Sequence, residues 1–283
     1  MTSSATGLEA QASALLEKTD IIASTPHSLV DLVDPFSPVD GRPSSAETII
    51  SLVQKQLQEE ASKAWELACI PRPWKRAEQE KESEEPTSQK TGPKYPFPEV
   101  TVPNPVINGP RAIFPEVYFS VYPAQDIETV PSTSDVASTL VRDALVDTIN
   151  TLDVNRIVTA KFLIDVDCYF SPNTFVKRAT PFDKLRDLAG DGPTWKPEDV
   201  AVDAVFSQLF QLPTPEHKLV YYHSLLTECC KIAPAAIAPS LGRAIRFLYR
   251  NLEGLDLDLA CRFLDWFAHH LSNFGFTWKW SEW

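Results

Sequence analysis

Near the end of the chain, Leu259, Phe263, Trp266, Phe267, His270, Leu271 and Phe274 recur at spacings of three and four residues. At about 100° per residue they fall within roughly a 140° stripe, one face of an amphipathic α-helix. His270 is its single polar member. A helix this aromatic on one side needs partner helices to cover it. Asp256 is placed to cap its start, and Gly275 is a natural stop.

The rest of the chain can be read for those partners. Residues 8–23 have a helical pattern, with Leu8, Leu15, Leu16, Ile21 and Ile22 among Ala, Glu and Lys. Residues 25–43 hold four prolines and read as a loop with one helical turn near 29–33. Ser44 or Ser45 can cap the next helix, and Ser44 with Glu47 has capping-box spacing. The pattern predicts a helix to about residue 68, with Ile49, Leu52, Val53, Leu57, Ala61, Ala64 and Trp65 inward. Two helices bury little core, so residues 1–70 read as the C-terminal part of a first, larger helical-repeat domain.

Composition then shifts. Twelve of the 24 prolines lie between Pro71 and Pro131, which marks residues 71–131 as a Pro-rich linker. Within it, 78–90 is charged and aperiodic and reads as disordered. Residues 94–105 read as extended chain. Ile113, Phe114, Val117, Tyr118, Phe119 and Val121 form a short, strand-like apolar anchor packed on a neighbour.

A second array starts at Ser134. Val136, Leu140, Val141, Ala144, Leu145, Thr148 and Ile149 mark one helix, and Val154, Ile157, Val158, Phe162, Leu163 and Val166 its antiparallel mate. A loop over 171–197 contains one helical turn at 182–188. Helices over 198–211 (Val202, Val205, Phe206, Leu209 and Phe210 inward), 214–231 (Leu219, Tyr222, Leu225, Leu226, Cys229) and 239–252 (Leu241, Ala244, Ile245, Leu248, Leu252) lead into the aromatic helix. Pro239 suits a first turn. Single stripes and short connections predict an all-α, HEAT-like solenoid of stacked helix pairs with a long Pro-rich linker. Residues 132–283 form the N-terminal part of its second domain.

The net charge of −12 argues against a nucleic-acid surface spread over the whole chain, because phosphate contacts need Lys and Arg. The five cysteines are odd in number and lack a Cys-x-x-Cys, as expected of a reduced intracellular protein. No apolar run reaches membrane-spanning length, and the polar start does not resemble a signal peptide.

Candidate chemistry is sparse. His269 and His270 are adjacent, so a helix points them to different faces, against a shared ion. His270 reads as a core histidine, and His217 and His223 as structural. Cys229 and Cys230 read as buried thiols with no activating neighbour. Walker, dinucleotide and nucleophile-elbow motifs are absent, and no catalytic, cofactor-binding or metal-ligating residue is assigned. Arg72, Lys75 and Arg76 form a basic cluster that reads as a solvated loop, with RNA contact or localisation as the alternative. Trp278, Trp280 and Trp283, beside Glu282, could stack a cationic base and accept its N–H groups. The plainer reading is that these rings close the end of the helix array.

Four stretches carry a family resemblance: Phe206-Ser-Gln-Leu-Phe-Gln-Leu-Pro213, Leu225-Leu-Thr-Glu-Cys-Cys-Lys231, Arg262-Phe-Leu-Asp-Trp-Phe-Ala-His-His-Leu-Ser-Asn-Phe274 and Phe276-Thr-Trp-Lys-Trp280. Together they resemble the large subunit of the nuclear cap-binding complex, and Phe162-Leu-Ile-Asp-Val-Asp-Cys-Tyr-Phe170 resembles its fungal branch. The likeness covers residues 112–283 and, more faintly, 49–74. It implies three consecutive helical-repeat domains similar to the middle domain of translation-initiation scaffolds, of which this chain would hold a fragment. It also implies a non-catalytic nuclear scaffold that shuttles to the cytoplasm. Such a scaffold holds a small cap-binding subunit with an RNA-recognition fold and meets capped RNA only indirectly. It recruits splicing, export and decay factors and needs no cofactor or membrane. The alternative is direct RNA or cap binding through Trp278, Trp280 and Trp283.

Overall fold

The computed structural model describes residues 2–38, 47–63, 65, 67–71, 113–123, 126–188, 192–278 and 280–282. Among them are nine α-helices and no strand. The helices are α1 (Thr2–Ala23), α2 (Ile49–Ser62), α3 (Val136–Thr151), α4 (Arg156–Ile164), α5 (Phe182–Leu188), α6 (Pro197–Leu209), α7 (Leu219–Ile232), α8 (Pro234–Arg250) and α9 (Leu257–Asn273). Ser44, Ser45, Ala64, the 72–76 basic cluster, residues 78–105 and Trp283 lie outside the described residues.

Helix α6 is the hub. Every residue of it except Ser207 is buried, and it packs on α3, α4, α7 and α8. One continuous core joins Val141, Leu145 and Ile149 of α3 to Phe206 and Leu209 of α6, Tyr222 and Leu225 of α7, Leu241 and Leu248 of α8, and Phe263 and Trp266 of α9. Each fully buried large side chain contributes about 1.5–3 kcal/mol by leaving water. Trp266 meets Phe206 edge-on at 4.8 Å, which locks α9 onto the hub.

Local chemistry sets the ends of α9. Asp256 accepts the Asp258 N–H at 2.8 Å as an N-cap. Gly275 turns the chain at φ +63°, where a side chain would be strained. Arg262, buried on α9, donates to the carbonyls of Leu209 (3.1 Å), Gln211 (2.9 Å) and Pro213 (2.8 Å). It thereby satisfies the backbone where α6 ends.

Four expectations need correction. Helix α2 starts later and ends earlier than its sequence pattern: Thr48 is the N-cap, its oxygen accepting the Ser51 N–H, and the helix stops at Ser62. Its buried side chains include Gln54, Gln56 and Glu60 beside Leu52. Gln56 bridges to α3, donating to the Thr133 carbonyl at 2.6 Å and accepting from Thr139. Helix α4 turns its face: Thr159, Ala160, Leu163 and Ile164 are buried, while Val154, Ile157, Val158 and Phe162 are exposed. A nine-residue helix pressed along α7 packs through its small residues, which allow close approach. Helix α8 begins at Pro234, so Pro239 lies inside it and not in its first turn. Pro234 takes the first helical position, and the carbonyl left unbonded by Pro239 belongs to exposed Ala235.

Besides the Gln56 bridge, backbone contacts fasten the N-terminal segment to the rest of the chain. Near α2, Thr48 forms an isolated bridge with Val117, with Ile49 N–H to the Glu116 carbonyl at 2.9 Å. Near the α8–α9 turn, Phe36 bridges to Leu255, and Ser37 N–H reaches the Gly254 carbonyl at 2.8 Å.

Candidate functional site

The aromatic end of the chain was the sharpest sequence candidate. Trp278 is half-buried and meets Phe267 edge-on, with ring centroids 5.5 Å apart at 84°. Trp280 sits in a short 3-10 turn, Trp280–Glu282, and is 55% exposed. Its N–H returns to the Trp278 carbonyl at 2.9 Å. The two rings do not pair with each other, so no stacked cage forms from these two residues. Trp283 lies outside the described residues, as does the Glu282 side chain.

The histidines take separate surroundings. His270 is buried between Trp266, stacked at 5.3 Å, and Phe274 at 4.8 Å. Burial, helped by neighbouring His269, pushes its pKa down to about 4, so it is neutral at pH 7. His269 is half-buried and faces His223 of α7 at 5.3 Å. Burial also holds His223 at about 4, more than offsetting the pull of Asp265. His217 is tied to Asn150 at 3.1 Å. Among the described residues, no three His, Cys, Asp or Glu side chains are arranged to hold a metal ion. Burial raises the Cys229 thiol to about 12 and also raises Cys230, which keeps both protonated.

The polar residues that organise the molecule were not singled out in the sequence. Helix α6 carries Glu198, Asp199 and Asp203, all buried. Asp199 is paired to Arg243 of α8 and accepts from Ser240. Tyr122 joins this cluster by donating to the Ser240 carbonyl at 2.9 Å, and Arg243 lies over the Tyr122 ring at 5.4 Å. Asp203 accepts the Ser120 hydroxyl and the Val121 N–H, each at 2.8 Å. Burial pushes the Asp203 carboxyl up to about 7 despite these bonds. Lys196 donates to the Thr180 carbonyl at 2.6 Å and pairs with Glu198 at 3.0 Å. These groups staple the 118–131 segment and the 171–196 loop to the hub. The available signal was three acids within one helix whose other positions are almost all apolar.

What this arrangement can do is hold segments in place. The histidine, thiol and carboxylate groups above meet other parts of the chain, and burial shifts the protonation of His223, His270, Cys229, Cys230 and Asp203. Surfaces and grooves are left as the parts that can meet another molecule.

Comparison with known proteins agrees with this picture. Residues 131–283 match the MIF4G-like family model. The chain is 38% identical to nuclear cap-binding protein subunit 1 of Schizosaccharomyces pombe, over 96% of this chain and 34% of that protein. It is 36% identical to nuclear cap-binding protein complex subunit 1 of Saccharomyces cerevisiae, over 60% of this chain and 20% of the relative. It is 44% identical to nuclear cap-binding protein subunit 1 of Homo sapiens, over 29% and 10%. The chain thus spans about a third or less of the length of these relatives. With more than half of its residues matched by the family model, and those residues folded as a helical array around α6, the chain belongs to the MIF4G-like family.

Proposed function

We propose that this chain is a segment of a non-catalytic scaffold, the large subunit of a nuclear cap-binding complex. In this reading it stabilises a small cap-binding subunit with an RNA-recognition fold and touches capped RNA only through that subunit. It recruits splicing, export and decay factors in the nucleus and travels with the complex to the cytoplasm. The observation that carries the reading is the family match over 131–283 together with relatives whose names place them in that complex. The acidic charge of −12 supports contact with RNA through a partner. No described helix is long and apolar enough to cross a membrane.

The same reading divides the chain into the end of a first helical-repeat domain (1–70), a Pro-rich linker (71–131) and the start of a second domain (132–283). Leu15, Ile21 and Ile22 of α1 are exposed, as expected of a helix whose own domain continues elsewhere. The match beginning at residue 131 supports the second boundary.

Gel filtration of the purified chain with the small subunit tests the reading. A co-eluting complex is the expected result. Two separate peaks at micromolar concentration would contradict it for this segment.

A further inference from the structure

Residues 34–38 form a strap across the α8–α9 turn. Phe36 bridges to Leu255, the Ser37 N–H donates to the Gly254 carbonyl at 2.8 Å, and the Asp256 N–H donates to the Pro35 carbonyl at 3.1 Å. Pro35 is buried, and Ser37 is exposed. The Ser37 hydroxyl donates to Asp34 Oδ2 at 2.7 Å, and Asp34 Oδ1 accepts the Phe36 N–H at 3.3 Å. The acceptor of this hydroxyl is therefore a carboxylate, whereas the hydroxyls of Thr25 and Thr180 donate to backbone carbonyls. The turn that the strap crosses adds two more acids, Glu253 and Asp256.

A second observation lies in the sequence. Five Ser-Pro or Thr-Pro pairs occur, beginning at residues 25, 37, 171, 180 and 214, and Ser37 alone also has a proline two residues before it, in Pro35-Phe36-Ser37-Pro38. Proline-directed serine/threonine kinases take their substrate as extended chain and need no N–H from the residue that follows the hydroxyl. Their mitogen-activated members also favour a proline two residues before it. Pro38 has no N–H and biases Ser37 towards extended backbone, and Pro35 fixes its own φ. The tetrapeptide is thus preset in the form such an enzyme takes, with its hydroxyl at the surface.

We propose that Ser37 is a phosphorylation site for a proline-directed kinase and that its phosphate lifts the strap off the α8–α9 turn. The γ-phosphoryl group of ATP passes to Ser37 Oγ. A new P–O bond forms, the bond from that phosphorus to ADP breaks and ADP leaves, and the hydroxyl proton goes to the kinase's base. The product lacks the donor that Asp34 used and sets a charge of about −1.5 to −2 beside its carboxylate. Attraction becomes repulsion at the group that holds Ser37 in place. The strap has little room to shift without leaving, because the Ser37 carbonyl and the Phe36 ring already crowd Gly254. Lifting uncovers Phe247, which Phe36 meets at 5.9 Å, and Leu255, which is buried while the strap is down. The kinase must take Ser37 from the lifted strap, so lifting and phosphorylation favour each other. The inference goes beyond the scaffold reading and does not rest on it.

The test incubates the whole chain with a mitogen-activated protein kinase and ATP, and tandem mass spectrometry locates the phosphate. Ser37 should be the principal site, and Ser37→Ala should remove that phosphate. Hydrogen exchange then reads the strap at the Asp256 N–H, which is far in sequence from the phosphate. It should exchange about tenfold faster in the phosphorylated chain, while amides within α6 and α7 keep their protection. Asp34→Asn, with no charge to repel the phosphate, should reduce that acceleration. Gly254→Ala, which loosens the strap, should speed phosphate transfer, as reciprocity requires. A chain left unmodified at Ser37, or phosphorylated there with Asp256 exchange unchanged or slower, would overturn the proposal. Slower exchange would mean that Arg250, exposed at the end of α8, grips the phosphate and tightens the strap.

Discussion

Phe36 lies against Gly254 so closely that a Cβ added to the glycine would sit 2.9 Å from Phe36 Cε2 and 2.7 Å from the Ser37 carbonyl oxygen. This contact presses the N-terminal segment onto the α8–α9 turn, where Phe36 also meets Phe247 edge-on at 5.9 Å. Backbone cannot yield as a flexible side chain would. Gly254→Ala should therefore cost about 1–3 kcal/mol, the range for overpacking. It should also free residues 34–38 for proteolysis before the helical array melts. Chemical denaturation and limited proteolysis measure the two effects; a variant as stable and as protected as the parent would refute the contact.

Asp203 makes the stability of the hub depend on pH in a definite direction. Its ordinary value is 3.8, and burial raises it to about 7 in the folded chain. Between those values the folded state binds more protons than the unfolded state, so this group lowers stability as pH rises from about 4 to 7. His223 and His270, both held near 4, act oppositely below their ordinary 6.5, and stability from them falls as pH drops towards 4. Asp203→Asn keeps an oxygen for Ser120 and Val121 but cannot ionise. Relative to the parent, the variant should gain stability steadily from pH 4 to 7 and stay ahead at pH 8. Urea midpoints across that range measure it, and a constant difference would show that Asp203 does not titrate there.

The two terminal tryptophans should separate by function. Trp278 packs on Phe267, so Trp278→Ala should cost about 2 kcal/mol of stability. Trp280, 55% exposed, should cost less than about 0.5 kcal/mol. Thermal melts decide this. A large loss from Trp280→Ala would mean that its ring is structural.

How much of this was visible beforehand differs by element. Helix α9 was legible to the residue, because its stripe, its Asp256 cap and its Gly275 stop all act within its own turn. The inward face of helix α7 was legible through Tyr222, Leu225, Leu226 and Cys229, but its start was not: the pattern runs from residue 214, whereas the helix begins at Leu219, after Lys218, which makes no side-chain cap bond. Helix α4 was not, since Val158 and Phe162 look more buried than Thr159 and Ala160 until the close approach of α7 is known. The buried acids of α6 were missed because their partners lie far along the chain. Arg243 is 44 residues from Asp199, and Ser120 is 83 from Asp203. Periodicity reports which face is apolar; it does not report which distant group will neutralise a charge. Of the candidate site, the core role of His270 and the buried thiols were readable.

Fluorescence titration of a methylated cap analogue tests the central claim most directly, using the small subunit alone, this chain alone and the two together. The scaffold account predicts no binding by this chain alone and tighter binding by the pair than by the small subunit alone. Binding by this chain alone, abolished by Trp280→Ala in a folded variant, would contradict it.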